Sequence, residues 1–189
     1  MIDLTFVLPD LAVGASFPME AVPRLLREHR IERVVDLREE GRDDEALLRG
    51  HGVRFLHLPT EDCCAISPQH IREGVAFTVE GLARGERVFI HCQYGIGRSA
   101  LLALCVLVAR GEPPVEALVR LKNARPEISP SPEQLCAFVE YCRGLRAERG
   151  LNWPVPSLER LGAIAWRHRL RDRAFPDGAA ARAASTRRS

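Results

Sequence analysis

Cys92 and Arg98 stand six positions apart in His91-Cys92-Gln93-Tyr94-Gly95-Ile96-Gly97-Arg98-Ser99, a glycine-containing stretch between two apolar runs. A thiol and a permanently charged planar guanidinium at the two ends of a short loop can carry out phosphate chemistry. The sulfur acts as nucleophile and the guanidinium as a fork for two phosphate oxygens. Gly95 and Gly97 let the loop turn inward, so that its successive N–H groups converge as an anion nest. The first amides of the helix that follows lack intrahelical partners, and its dipole adds positive potential at the same point. That field favours the thiolate form of Cys92. Ser99 is placed to donate a hydrogen bond to the sulfur, above all when it becomes the leaving group. His91 reads as an orienting residue, because a thiolate already formed needs no base. Gln93, Tyr94, Gly95, Ile96, Gly97 and Arg98 are the candidate substrate cradle.

The spacing by itself carries little weight. Lys122 is the only lysine among 27 Lys+Arg, leaving 26 arginines; with six cysteines in 189 residues, roughly 0.8 Cys-x5-Arg pairs arise by chance. The flanking elements supply the specificity. Arg87 to His91 reads as a short buried strand, and Ser99 to Arg110 (SALLALCVLVAR) as a buried helix. A strand that runs into a tight loop and then a helix gives the loop its purpose.

Around this unit, Leu4–Leu8 and Leu11–Gly14 form a hairpin-like pair of strands, and Met19–Glu28 a helix with Val22, Leu25 and Leu26 on one face. Arg33–Leu37 is a buried strand, Asp43–Arg49 a short helix, Val53–Pro59 a strand, and Pro68–Arg84, Pro114–Arg125 and Pro132–Glu148 are helices. The alternation predicts an α/β fold with a mainly parallel central sheet of about five strands flanked by helices. Cys92 falls at the carboxyl end of a central strand, where such folds place ligands. The expected organisation is a catalytic domain over residues 1–150, a basic helical extension over 151–175 with Trp153 as a packing anchor, and a disordered tail over 176–189.

His-Cys-x-x-Gly-x-x-Arg-Ser resembles the signature of the cysteine-dependent protein tyrosine phosphatases, in particular their compact dual-specificity branch. The resemblance covers about residues 4–148. It implies a phosphocysteine intermediate with Cys92 as nucleophile, Arg98 as transition-state clamp and Ser99 as thiolate stabiliser, and no metal or other cofactor. The branch carries its general acid about thirty residues before the cysteine, and Asp62 lies at that distance after a strand, with Glu61 as its competitor. The segment Arg125-Pro126 to Gln134 resembles the family's Arg-Pro and Pro-Asn-x-x-Gln segment, with Ser131 in place of asparagine. Gln134 then either positions the hydrolytic water or, with Ser131 and Pro132, forms a helix-capping box.

A net charge of +2 makes no case for nucleic acid, and no apolar run approaches the length of a membrane span. The scarcity of lysine points to a GC-rich, prokaryotic genome, and a catalytic thiolate to the reducing cytoplasm. Cys105, Cys136 and Cys142 read as small buried hydrophobes, and no cysteine spacing suggests zinc. Cys63 and Cys64, beside Asp62, are candidate redox partners for Cys92.

The leading function is removal of phosphate from phosphotyrosine, and from phosphoserine and phosphothreonine, of a phosphorylated protein substrate. Alternatives are a phosphatase of a monophosphorylated lipid or of RNA or a nucleotide, a non-catalytic phosphoprotein-binding module, and a rhodanese-type sulfur-transfer domain. The uncharged Gln93, Tyr94 and Ile96 argue against a polyanionic substrate.

Overall fold

A computed structural model describes residues 2–167. The strands are β1 (Leu4–Leu8), β2 (Leu11–Ala15), β3 (Ile31–Arg38), β4 (Arg54–Thr60) and β5 (Arg87–Cys92). They form one sheet in the order β1-β2-β5-β3-β4. Only the β1–β2 pair is antiparallel; β5 runs parallel to both β2 and β3, and β3 parallel to β4. The helices are α1 (Val22–His29), α2 (Glu45–Gly50), α3 (Pro68–Ala83), α4 (Arg98–Ala109), α5 (Pro114–Ala124), α6 (Pro132–Arg149) and α7 (Leu158–Ala165).

Strand geometry decides which side of the sheet each β5 side chain serves. Val88, Ile90 and Cys92 point to the face covered by α3 to α7, whereas Phe89 points to the face covered by α1 and α2. His91 alternates with Cys92, so it too lies on the α1/α2 face, stacked on Phe89 and edge-on to Phe17. Every residue of α4 is buried, which fits its unbroken apolar sequence, and α3, α5 and α6 pack around it. The loop between β5 and α4 therefore hangs between the most enclosed strand and the most enclosed helix.

Several elements differ from expectation for identifiable reasons. The helix expected from Met19 opens as a 3-10 turn over Met19–Ala21, and α1 starts at Val22. Pro23 accounts for this: lacking an N–H, it is tolerated only in the first turn of an α-helix. α2 starts at Glu45, not Asp43, because Asp44 accepts from the Leu47 N–H as N-cap while Asp43 turns into the interior. Among the described residues of the extension, the helix is α7, capped by Ser157, and Pro154 and Pro156 precede it. Its Leu161 and Ala165 join the main core, as does Trp153. Cys136 is exposed on α6 rather than buried. The tail over 176–189 and the end of the extension lie outside the described residues.

Leu104, in the middle of α4, is fully buried. Leu104→Ala should cost about 2–5 kcal/mol of stability, read as a lower urea midpoint with an unchanged slope.

Candidate active site

β5 delivers Cys92 to the floor of a cleft of about 490 Å³, with its sulfur 3.4 Å from the Ser99 hydroxyl in the first turn of α4. The loop between them is held by its carbonyls. Gln93 O accepts from the Ser16 N–H at 3.3 Å, Gly95 O from Arg125 Nε at 2.8 Å, Tyr94 O from Arg125 at 3.3 Å, and Ile96 O from the Ser129 N–H at 3.0 Å. All peptide bonds here are trans, so a carbonyl aimed at the scaffold turns the next amide the opposite way. Four amides, those of Tyr94, Gly95, Ile96 and Gly97, are thereby turned inward, which is the anion nest that the glycines imply.

Two glycines are needed for specific contacts. Gly95 has φ +67°, and a Cβ there would come within 2.4 Å of the Gly14 backbone. A Cβ on Gly97 would come within 2.7 Å of Gln134 Oε1. Gln134 forms the capping box of α6 with Ser131, and its Nε2 donates to Cys64 O at 3.0 Å. Ser131 Oγ donates to Cys63 O at 2.8 Å. The capping alternative for these residues is therefore present, and the same cap pins the Asp62–Cys64 loop against the phosphate loop. Arg125 reaches across to a bidentate pair with Asp3 at 2.7 Å, tying the loop to the chain entering β1.

Arg98 is the most constrained group of the site. Its guanidinium is fully buried and donates to both carboxylate oxygens of Glu40, at 2.8 and 2.7 Å, and to Thr60 O at 2.7 Å. Asp62 Oδ1 lies 3.0 Å from the same guanidinium. Burial works against the charge of Arg98, yet Glu40, Cys92 and Asp62 outweigh it and hold the guanidinium firmly protonated. The hydrogen bond from Arg98 pulls the Glu40 carboxyl down to about 2. Arg98 Nε has no partner although it is buried. A buried unsatisfied donor is costly, and here it belongs to the side chain that would grip an anion.

Behind Cys92, His91 Nε2 lies 2.9 Å from Asp43 Oδ2. A carboxylate only accepts, so that nitrogen carries the proton. Asp43 in turn takes a bond from Arg38 at 2.5 Å, and Arg38 also binds Asp36 at 2.9 and 3.0 Å. Burial disfavours the Asp36 charge, but Arg38 and His91 outweigh it and hold the carboxyl below its usual range. Ligand atoms of Asp36, Asp43 and His91 lie within 4.8 Å of one another. Arg38 already pairs with both carboxylates, so this donor set reads as an ion-paired network that fixes His91.

The predicted residues thus converge: Cys92, Ser99, Arg98, Asp62 and the loop share one site, with His91 and Gln134 in support. Cys63 lines the cleft with Cys92, whereas Cys64 turns its thiol towards Glu61. Gln93 faces Ser16, and Tyr94 is 62% exposed at the rim. Glu40, Asp36, Asp43, Ser16, Asp3 and Trp166 were not legible as site residues; a hint for Glu40 is its place just past the carboxyl end of β3. A larger apolar groove of about 1010 Å³ between α3 and α6, lined by Val75, Cys136 and Tyr141, has no comparable cradle.

A thiol at the end of a central parallel strand, an amide-lined loop and a buried arginine opening the next helix define a phosphatase-type α/β fold. Residues 13–112 match the family described as "Polymorphic toxin system, DSP-PTPase phosphatase". The chain belongs to that family, within the compact, atypical dual-specificity branch of the cysteine-dependent protein tyrosine phosphatases. It is 26% identical over 160 residues to human dual specificity protein phosphatase 16, covering 83% of this chain and 23% of that protein. It is 30% identical over 136 residues to the Arabidopsis thaliana phosphatidylglycerophosphate phosphatase PTPMT1, covering 69% of this chain and 40% of that protein. The chain therefore spans less than half the length of either relative. A crystal structure of PTPMT1 shares the fold with a TM-score of 0.72 at 24% identity, over 79% of this chain and 99% of that one. Among the described residues no helix is long and apolar enough to cross a membrane.

Glu40 supplies a pH signature. Because its folded carboxyl is depressed from 4.5 to about 2, the pair with Arg98 stabilises the fold above pH 4.5 and is lost as pH falls through about 2. The stability difference between wild type and Glu40→Gln, measured by urea unfolding, should be present at neutral pH and shrink across that window.

Proposed function

We propose that the chain removes phosphate from phosphotyrosine, and from phosphoserine and phosphothreonine, of proteins through a phosphocysteine at Cys92. The observation that carries this reading is one short loop that places the Cys92 sulfur in a cleft at its start and, at its end, a buried Arg98 guanidinium whose Nε has no partner. The Cys92 thiolate attacks phosphorus in line while the inward amides and Arg98 hold the non-bridging oxygens. The ester P–O bond breaks, and Asp62 gives its proton to the departing oxygen. Water, deprotonated by Asp62, then attacks the phosphocysteine. The P–S bond breaks to release inorganic phosphate, and Ser99 stabilises the returning thiolate.

A lipid phosphate is the second reading, favoured by the Arabidopsis relative's name. The walls support a protein monoester over it. Outside the loop, no lysine or arginine lines the cleft among the described residues, so a second phosphate or an anionic headgroup gains no partner there. The proposed setting is a reducing one such as the cytoplasm.

Metal-free hydrolysis of an aryl phosphate in the presence of chelator should be abolished by Cys92→Ser; residual turnover in that variant would remove Cys92 as nucleophile. Asp62→Asn should lower kcat by about 10²–10⁴-fold for substrates whose leaving group needs a proton; a larger loss in Glu61→Gln would transfer the acid role to Glu61. Assay of a phosphotyrosine peptide against phosphatidylglycerophosphate vesicles separates the two substrate readings.

Cys63 is the proposed redox partner of Cys92, since it lines the same cleft. Peroxide converts the Cys92 thiolate to a sulfenic acid, and attack by Cys63 on that sulfur forms the disulfide and expels water. Peptide mapping after peroxide treatment should find a Cys63–Cys92 link that Cys63→Ser lacks.

A further inference from the structure

Trp166 follows α7, in the extension beyond the region that carries the phosphatase motifs, and yet it lines the cleft together with Cys92, Asp62, Tyr94, Ile96 and Pro130. Its placement is built in several steps. The indole Nε1 donates to Pro130 O at 2.9 Å, which fixes the ring plane against the loop leading into α6. Gly162, one turn earlier, leaves the ring its room: a Cβ there would come within 2.6 Å of Trp166 Cζ3. Beneath it, the buried Lys122 donates to Ala165 O at 2.7 Å and to Ile128 O at 2.6 Å. An ammonium at the carboxyl end of a helix is favourably placed with respect to the helix dipole. It joins the last carbonyl of α7 to the loop that carries Pro130. The extension is therefore locked to the cleft at two points.

We propose that Trp166 is a specificity-determining residue that selects an aromatic leaving group, phosphotyrosine, over an alkyl one. This rests on the phosphatase reading of the cleft. The ring is half-buried and held by its N–H edge, so part of its apolar surface is left to the cleft. Ile96 and Pro130 continue that surface, and Tyr94 adds a second aromatic group at the rim. A phenyl leaving group buries its face against such walls and gains the additional attraction of paired aromatic rings. The short methylene of a phosphoserine does neither, and no basic side chain of the described cleft lining compensates it.

The test compares phosphotyrosine and phosphoserine forms of one peptide. The ratio of their kcat/KM values should fall about three- to tenfold in Trp166→Ala and largely return in Trp166→Phe. Gly162→Ala, which displaces the ring without removing it, should lower the same ratio and serves if Trp166→Ala does not fold. An unchanged ratio, or equal losses for both peptides, overturns the proposal. Wild-type protein that hydrolyses neither peptide overturns the catalytic reading instead. In that case titration of Cys92→Ser protein with the two peptides still reads the aromatic preference, and equal affinities overturn it.

Discussion

A guanidinium with no exposure to water must be neutralised or it will not stay buried, and the architecture around Arg98 is organised by that requirement. Its partners come from the carboxyl ends of separate strands. Glu40 follows β3, Thr60 ends β4, and Asp62 lies just beyond it; Arg98 itself opens the helix that follows β5. A parallel sheet brings these ends to one edge. The pairing consumes the terminal nitrogens and leaves the buried Nε without a partner, so the arginine is held rigid with one donor unspent. Rigidity of this kind lets a charged group stabilise a developing charge without reorganising.

The loop obeys the complementary rule for backbone groups. Each buried carbonyl needs a donor, and the donors come from far along the chain: Ser16 after β2, Arg125 after α5, Ser129 before α6. Satisfying the carbonyls from outside is what turns the amides in. The capping box of α6 extends the same economy, since Ser131 and Gln134 cap a helix and also hold the loop that carries Asp62. Local helix chemistry and placement of the Asp62 loop are one set of bonds. A mutation there would disturb both.

This also explains which parts were legible in the sequence. Cys92, Arg98, Ser99 and the strand–loop–helix around them are contiguous, and their roles follow from local geometry. Asp62 was singled out through the family resemblance, which sets its acid about thirty residues before the cysteine, and the Ser131 cap through a short-range pattern. Glu40 could not be found in this way, because its partner lies 58 positions away and only sheet register brings them together. The Arg125–Asp3 pair spans 122 positions. Trp166 was hidden for a different reason: it belongs to an extension whose sequence signals only a helix, and the cleft it borders is made by tertiary packing. Cys136 illustrates the converse error, since an apolar-looking helical position faces an open groove rather than the core.

The burial of Lys122 has a consequence outside catalysis. It is the only lysine of the chain, and it is 1% exposed. The folded protein consequently presents no ε-amino group to its surroundings. Acetylation, methylation and ubiquitin attachment at lysine have no acceptor on this chain while it is folded. Reactivity at Lys122 would report directly that α7 had come away from the core.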